Sequence, residues 1–232
     1  MQSSDPKSNS DDGSPFEMEY CWKVFCDSGV YHHFEVAAFS ENIADYAIID
    51  SDTGKPRRNL GLNYYLSFID PLPVREFDLC LQFAKARKRP AHILMFGSGW
   101  IVSEAVKAVI EELEPNVHEF FRIRTVLKSG APLPVNYYLF HICQKLDSVI
   151  VAESKPYVMT NRYDGGTRYE SPMVDDQFTF DLAAVRGKHI WRERRFPSAA
   201  FVSSTMRAAL EKAKINHLSY VVRVVVKFPW CN

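Results

Sequence analysis

Ser203 stands one hundred positions after Ser103, and the residues around the two serines match in kind. The first stretch runs Trp100-Ile101-Val102-Ser103-Glu104-Ala105-Val106-Lys107-Ala108-Val109-Ile110-Glu111. The second runs Ala200-Phe201-Val202-Ser203-Ser204-Thr205-Met206-Arg207-Ala208-Ala209-Leu210-Glu211. Arg207 falls where Lys107 does, and Glu211 where Glu111 does. Self-similarity at a fixed spacing has to be settled before any other feature of a fold. Two copies are fewer than the three or so that a solenoid needs to bury a continuous core.

Each serine follows two apolar residues and opens a helical pattern. Its hydroxyl is placed to accept from an unpaired amide in the first helical turn. Glu104 suits the positive end of the helix dipole. Apolar residues then recur at Val106, Val109, Ile110 and Leu113, and in the second stretch at Met206, Ala209, Leu210 and Ala213. That spacing predicts one buried face on a helix of about three turns. Pro115 and Asn116 end the first helix. A strand follows each: Phe121, Ile123 and Thr125 alternate with Arg122 and Arg124, and Leu218, Tyr220, Val222 and Val224 alternate with Ser219 and Arg223. Pairing Arg122 with Arg223 needs a shift of one residue. The alternation predicts one buried and one wetter strand face.

The fold class expected is α+β, a single mixed domain or two closely packed lobes around the two similar helix–strand units. Residues 1–15 are polar after Met1 and read as a solvated tail. Residues 16–90 read as a β-rich portion, and 91–232 as the α+β region. Within them, Phe16 to Phe39 reads as two strands around the turn Asp27-Ser28-Gly29. Phe77 to Ala86 reads as a short helix. Strands are expected at His92–Phe96, Ser148–Val151, Phe178–Leu182 and His189–Arg192, while Asn136–Leu146 is ambiguous between helix and strand.

Among 232 residues, 47% are apolar and 13% aromatic, ample for a core. Basic and acidic side chains balance at 28 each, which argues against a dedicated nucleic-acid binder. No secretory h-region and no apolar run of about eighteen residues occurs, so neither export nor a membrane helix is expected. Five scattered cysteines suit a reducing cytosol better than a disulfide framework.

No strong catalytic signature stands out. Cys21, Cys26, His32 and His33 are wrongly spaced for zinc, and the two cysteines read as small hydrophobes. His141 and Cys143 share a strand face as base and thiol, but lack an orienting third group. Cys80 and Cys231 have no nearby histidine. Asp175 and Asp176, with Glu170, read as a solvated loop. Gly97-Ser98-Gly99 reads as a plain turn rather than an anion cradle. No catalytic residue, cofactor or metal is therefore expected. Arg192, Arg194 and Arg195, beside Trp191 and Phe196, are the best partner-binding candidates, because Arg and aromatic residues are enriched at interaction hot spots. The loop containing Tyr163 and Arg168 is the second. The competing reading is a charged surface loop with Trp191 buried.

The apolar-Val-Ser lead, amphipathic helix and apolar strand of Trp100 through Val126 carry a resemblance, together with Tyr137 to Ser154 and His189-Ile190-Trp191-Arg192 through Val226. These segments resemble a bacterial family, immunity protein family eleven, of polymorphic toxin systems. The resemblance implies a cytoplasmic α+β protein that binds a cognate toxin domain and silences it without catalysis. The alternatives are an enzyme of unrecognised class, using a pocket between the two units with His141, Cys143 or Asp175, and a self-associating module.

Overall fold

The computed structural model describes residues 20–26, 34–39, 48–49, 56–57, 79–83, 91–96, 99–154, 157–160, 167–170, 178–215 and 218–227. The tail expected over residues 1–15 lies outside them. Among the described residues the protein is α+β, built on two six-stranded sheets.

The first sheet has the order β2 (Phe34–Phe39), β5 (Leu79–Phe83), β8 (Glu119–Leu127), β9 (Tyr137–His141), β7 (Gly99–Ser103), β6 (Ile93–Phe96). The second has the order β10 (Lys145–Leu146), β14 (Ile190–Glu193), β15 (Phe196–Ser203), β1 (Tyr20–Cys26), β16 (Leu218–Lys227), β13 (Thr179–Asp181). Two short antiparallel pairs stand apart: β3 (Ile48–Ile49) with β4 (Pro56–Arg57), and β11 (Tyr157–Thr160) with β12 (Thr167–Glu170). Strands from the first ninety residues enter both large sheets.

Helix α1 (Glu104–Leu113) follows β7, the short α2 (Leu182–Val185) follows β13, and α3 (Ser204–Lys212) follows β15. The lead serines of α1 and α3 adopt nearly the same backbone: φ −73°, ψ 163° at Ser103 and φ −71°, ψ 163° at Ser203. Each serine amide donates to a histidine carbonyl, His92 at 2.8 Å and His189 at 3.0 Å. Each hydroxyl meets that same histidine's Nδ1, at 3.0 Å and 2.9 Å. The neighbouring strands correspond as well. Val102 lies opposite Tyr138, which lies opposite Arg122. Val202 lies opposite Trp22, which lies opposite Arg223. The outer helix faces carry like pairs, Lys107 to Glu111 at 2.6 Å and Arg207 to Glu211 at 2.8 Å. Each cation also lies over an aromatic ring, Phe120 or Tyr220.

Val106 and Ile110 of α1, with Met206 and Leu210 of α3, are almost fully buried. They join Trp100, Val102 and Phe140 from the first sheet and Ile190, Ala200 and Val202 from the second in one continuous core. Burying each such side chain contributes about 1.5–3 kcal/mol, so the two helices and two sheets are held as one unit by this cluster. The opposite face of β15 carries Ala199 and Phe201, which pack with Trp191, Phe178, Phe180 and Phe196 in a second, aromatic cluster. Phe180 and Phe201 meet edge to face, with ring centroids 5.0 Å apart. Alternation along β15 therefore feeds two different cores from one strand.

The helix ends differ. Beyond α3, Ile215 N–H donates to Leu210 O at 3.0 Å and Lys214 N–H to Glu211 O at 2.9 Å, with Lys214 left-handed at φ 57°. That is a Schellman end, closed by the buried side chains of Ile215 and Leu210. After α1, Asn116 takes the left-handed position at φ 59°.

Four local expectations change. Ser203 caps its helix by accepting from Met206 N–H, but Ser103 makes no side-chain cap bond. Leu79–Phe83 is a strand, not a helix. Cys80, Leu81 and Phe83 are all buried, and an apolar run covered on both faces has no period by which to tell it from a helix. The segment 148–151 forms only a bridge, Val149 to Phe180, before a 3₁₀ turn at Val151–Glu153. The two strands within 16–39 do not pair: β1 lies between β15 and β16, and β2 lies beside β5. The ambiguous segment after Asn136 is strand β9. Phe121 and Ile123 of β8 are buried while Arg122 and Arg124 are exposed, as alternation predicts.

Candidate functional site

Glu114 ends α1 and is nearly fully buried. Its carboxylate accepts from Gln144 Nε2 at 2.6 Å, His118 Nε2 at 2.8 Å, His189 N–H at 2.7 Å and Ile190 N–H at 3.2 Å. The other ring nitrogen of His118, Nδ1, accepts from Cys143 N–H at 3.2 Å. An acceptor on that side places a proton on Nε2, so His118 donates to Glu114. Burial pushes the Glu114 carboxyl up, but the hydrogen bonds from His118, His189 and Gln144 outweigh it and hold it below its ordinary value. This carboxylate ties the end of α1 to the start of β14, the strand that leads toward Ser203.

A second buried carboxyl, Glu193, sits at the end of β14. It accepts from Ser148 N–H at 3.1 Å, from the Ser148 hydroxyl, and from Trp191 Nε1 at 3.3 Å. Here burial wins over those bonds and pushes the carboxyl up to about 7.

A third cluster lies where β8 begins and β9 ends. Glu119 is directly opposite His141 in the antiparallel ladder, and Cys143 follows two residues on. One donor atom from each of Glu119, His141 and Cys143 lies within 4.8 Å of the others. His141 is fully buried, while Glu119 and Cys143 are half-buried. The structure thus adds a carboxylate to the His141–Cys143 pair that the sequence singles out. Neither Cys80 nor Cys143 is in a disulfide. Cys21, Cys26, His32, His33, Asp175 and Asp176 fall where no side chain is described.

The surface candidates divide. Trp191 is fully buried against Phe180 and Phe201, and Arg192 is 2% exposed on the other side of the same strand. Both faces of β14 are covered, so consecutive side chains both point inward. Arg194 is exposed, and Arg195 is half-exposed and pairs with Asp147 at 3.1 Å. Arg168 lies on β12, paired with Met159 of β11. Tyr163 is outside the described residues. Sequence reading missed Glu114, His118, Gln144 and Glu193. The spacing of Glu114 and His118, one helical turn apart around Pro115, was the one local signal.

No helix among the described residues is long and apolar enough to cross a membrane. No curated protein matches the chain. The family model described as the immunity protein family (Imm11) matches residues 42–223. That span takes in the two Ser-led segments and all three carboxylate sites. By this match the chain belongs to the immunity protein family Imm11.

Proposed function

We propose that this chain binds a cognate toxin domain in the bacterial cytoplasm and neutralises it by protein–protein contact. Family membership over residues 42–223 carries the reading. The turn between β14 and β15 supports a place for the contact. Arg194 is exposed beside the Arg195–Asp147 pair, whose side chains are 39% and 46% exposed. An ion pair that open contributes little to folding, so Arg195 can exchange Asp147 for an acidic group of a partner at small cost. The β11–β12 pair, which carries Arg168, is the second proposed contact. A standard interface covers about 800 Å² per partner.

The test is co-expression with the product of the adjoining toxin gene. Co-purification and rescue of growth are expected, and the double variant R194E/R195E weakens association at least about tenfold. If the two proteins neither co-purify nor restore growth, the reading fails. One observation favours a second reading, an enzyme using His141 and Cys143: Glu119 supplies the third group that the sequence lacked. Toxin neutralisation unaffected by C143A, with no other phenotype, counts against it.

A further inference from the structure

We propose that Glu119, His141 and Cys143 form a site for a divalent transition-metal ion of the zinc class, independent of the toxin contact. Three features of the fold build it. Glu119 and His141 are cross-strand partners on β8 and β9, so their side chains leave the sheet on one side. Glu119 Oε2 stands 3.9 Å from His141 Nε2, too far for a hydrogen bond. Cys143 completes the set, all three donor atoms lying within 4.8 Å of one another.

The donor chemistry selects the ion. An imidazole nitrogen, a thiolate sulfur and a carboxylate oxygen suit zinc or cobalt, whereas magnesium and calcium take oxygen ligands throughout. Metal–donor distances of about 2.0–2.3 Å place donors roughly 3–4 Å apart around a tetrahedral ion. The cluster therefore closes by about 1 Å on binding. Glu119 and Cys143 are half-buried, so their side chains have room to turn while buried His141 stays fixed.

The surroundings hold Cys143 in place. Cys143 N–H is anchored on His118 Nδ1 at 3.2 Å, and His118 is held by Glu114 at 2.8 Å. Cys143 Sγ lies 3.6 Å from His141 O. Outer partners of this kind orient metal ligands. The charges balance: one carboxylate and one thiolate neutralise a dication, and the thiol proton passes to solvent as the metal–sulfur bond forms. Three protein ligands leave a fourth position for water, on the side where Glu119 and Cys143 reach solvent.

The full chain, stripped with a chelator and titrated with cobalt(II) alone, tests this. One equivalent is expected to bind with thiolate-to-cobalt charge-transfer absorption in the near ultraviolet, and zinc(II) displaces it. C143S abolishes that absorption. E119Q keeps it but weakens binding by at least about tenfold, since even outer-shell losses cost that much. No charge transfer in the native chain overturns the proposal, as does an unchanged band in C143S, which assigns the metal to another thiol. X-ray absorption on the zinc-loaded native chain reads the ligands without any variant. One sulfur with nitrogen and oxygen donors is expected, and no sulfur or more than one overturns the site.

Discussion

Replacing Glu114 with alanine removes the acceptor for four donors at a position 5% exposed. Two of the donors, Gln144 Nε2 and His118 Nε2, are on side chains that can turn. The other two are main-chain N–H groups of His189 and Ile190, fixed by the β14 ladder. A buried donor left without a partner costs about 1–3 kcal/mol. The two fixed amides alone set a loss of roughly 2–6 kcal/mol. Against a typical domain stability of about 5–15 kcal/mol, E114A unfolds a substantial fraction of the margin. Urea denaturation of E114A and the native chain at pH 7 measures it. The native carboxyl is held below its ordinary value of 4.5, so its contribution is present above that pH and is lost as pH falls through the folded value. The gap between native chain and variant should therefore narrow below pH 4.5. A loss under about 1 kcal/mol at pH 7 refutes the reasoning, because a single neutral hydrogen bond would then account for it. A gap that does not change with pH refutes the claim that the ionised carboxylate is the stabilising form.

Glu193 has the opposite sign. Its folded value of about 7 lies above 4.5, so the stability of the protonated form is fully present below 4.5 and is lost as pH rises through about 7. E193Q stays neutral, keeps a hydrogen bond for Ser148 N–H, and should be more stable than the native chain at pH 8.5 by at most about 3 kcal/mol. Thermal melts from pH 5 to 8.5 read the difference, and parallel curves for the two proteins would contradict it. The two serines should also part company. Ser203 Oγ accepts from Met206 N–H at 3.1 Å, while Ser103 makes no side-chain cap bond. S203A should cost about 1 kcal/mol more than S103A in denaturant unfolding; equal losses would show that the histidine contacts, common to both, are what matters.

Much of the local structure was legible in the chain. The Ser lead and the apolar spacing placed α1 and α3, and alternation placed β8 and β16, because helical and strand periods of apolar residues survive in the finished fold. The one-residue shift that pairs Arg122 with Arg223 is also the register in which each lies opposite its central-strand partner, Tyr138 or Trp22. Where burial covers both faces the period disappears, which is why Leu79–Phe83 resembled a helix and why Trp191 and Arg192 looked available to a partner.

The sequence by itself determined the pair of Ser-led helices, the strands that follow them, the balanced charge and the kinship of the chain. Tertiary structure alone decided that β1, from near the start of the chain, takes the central place between β15 and β16 that β9 takes between β7 and β8. It alone brought Glu114 to His189, and Glu119 to His141 and Cys143. The physical reason is range. Helix caps and side-chain periods are set by neighbours a few residues away, and a sequence displays those directly. Strand partners and buried carboxylate contacts join residues far apart in the chain, chosen by which apolar faces can be covered together and which buried polar groups must be satisfied.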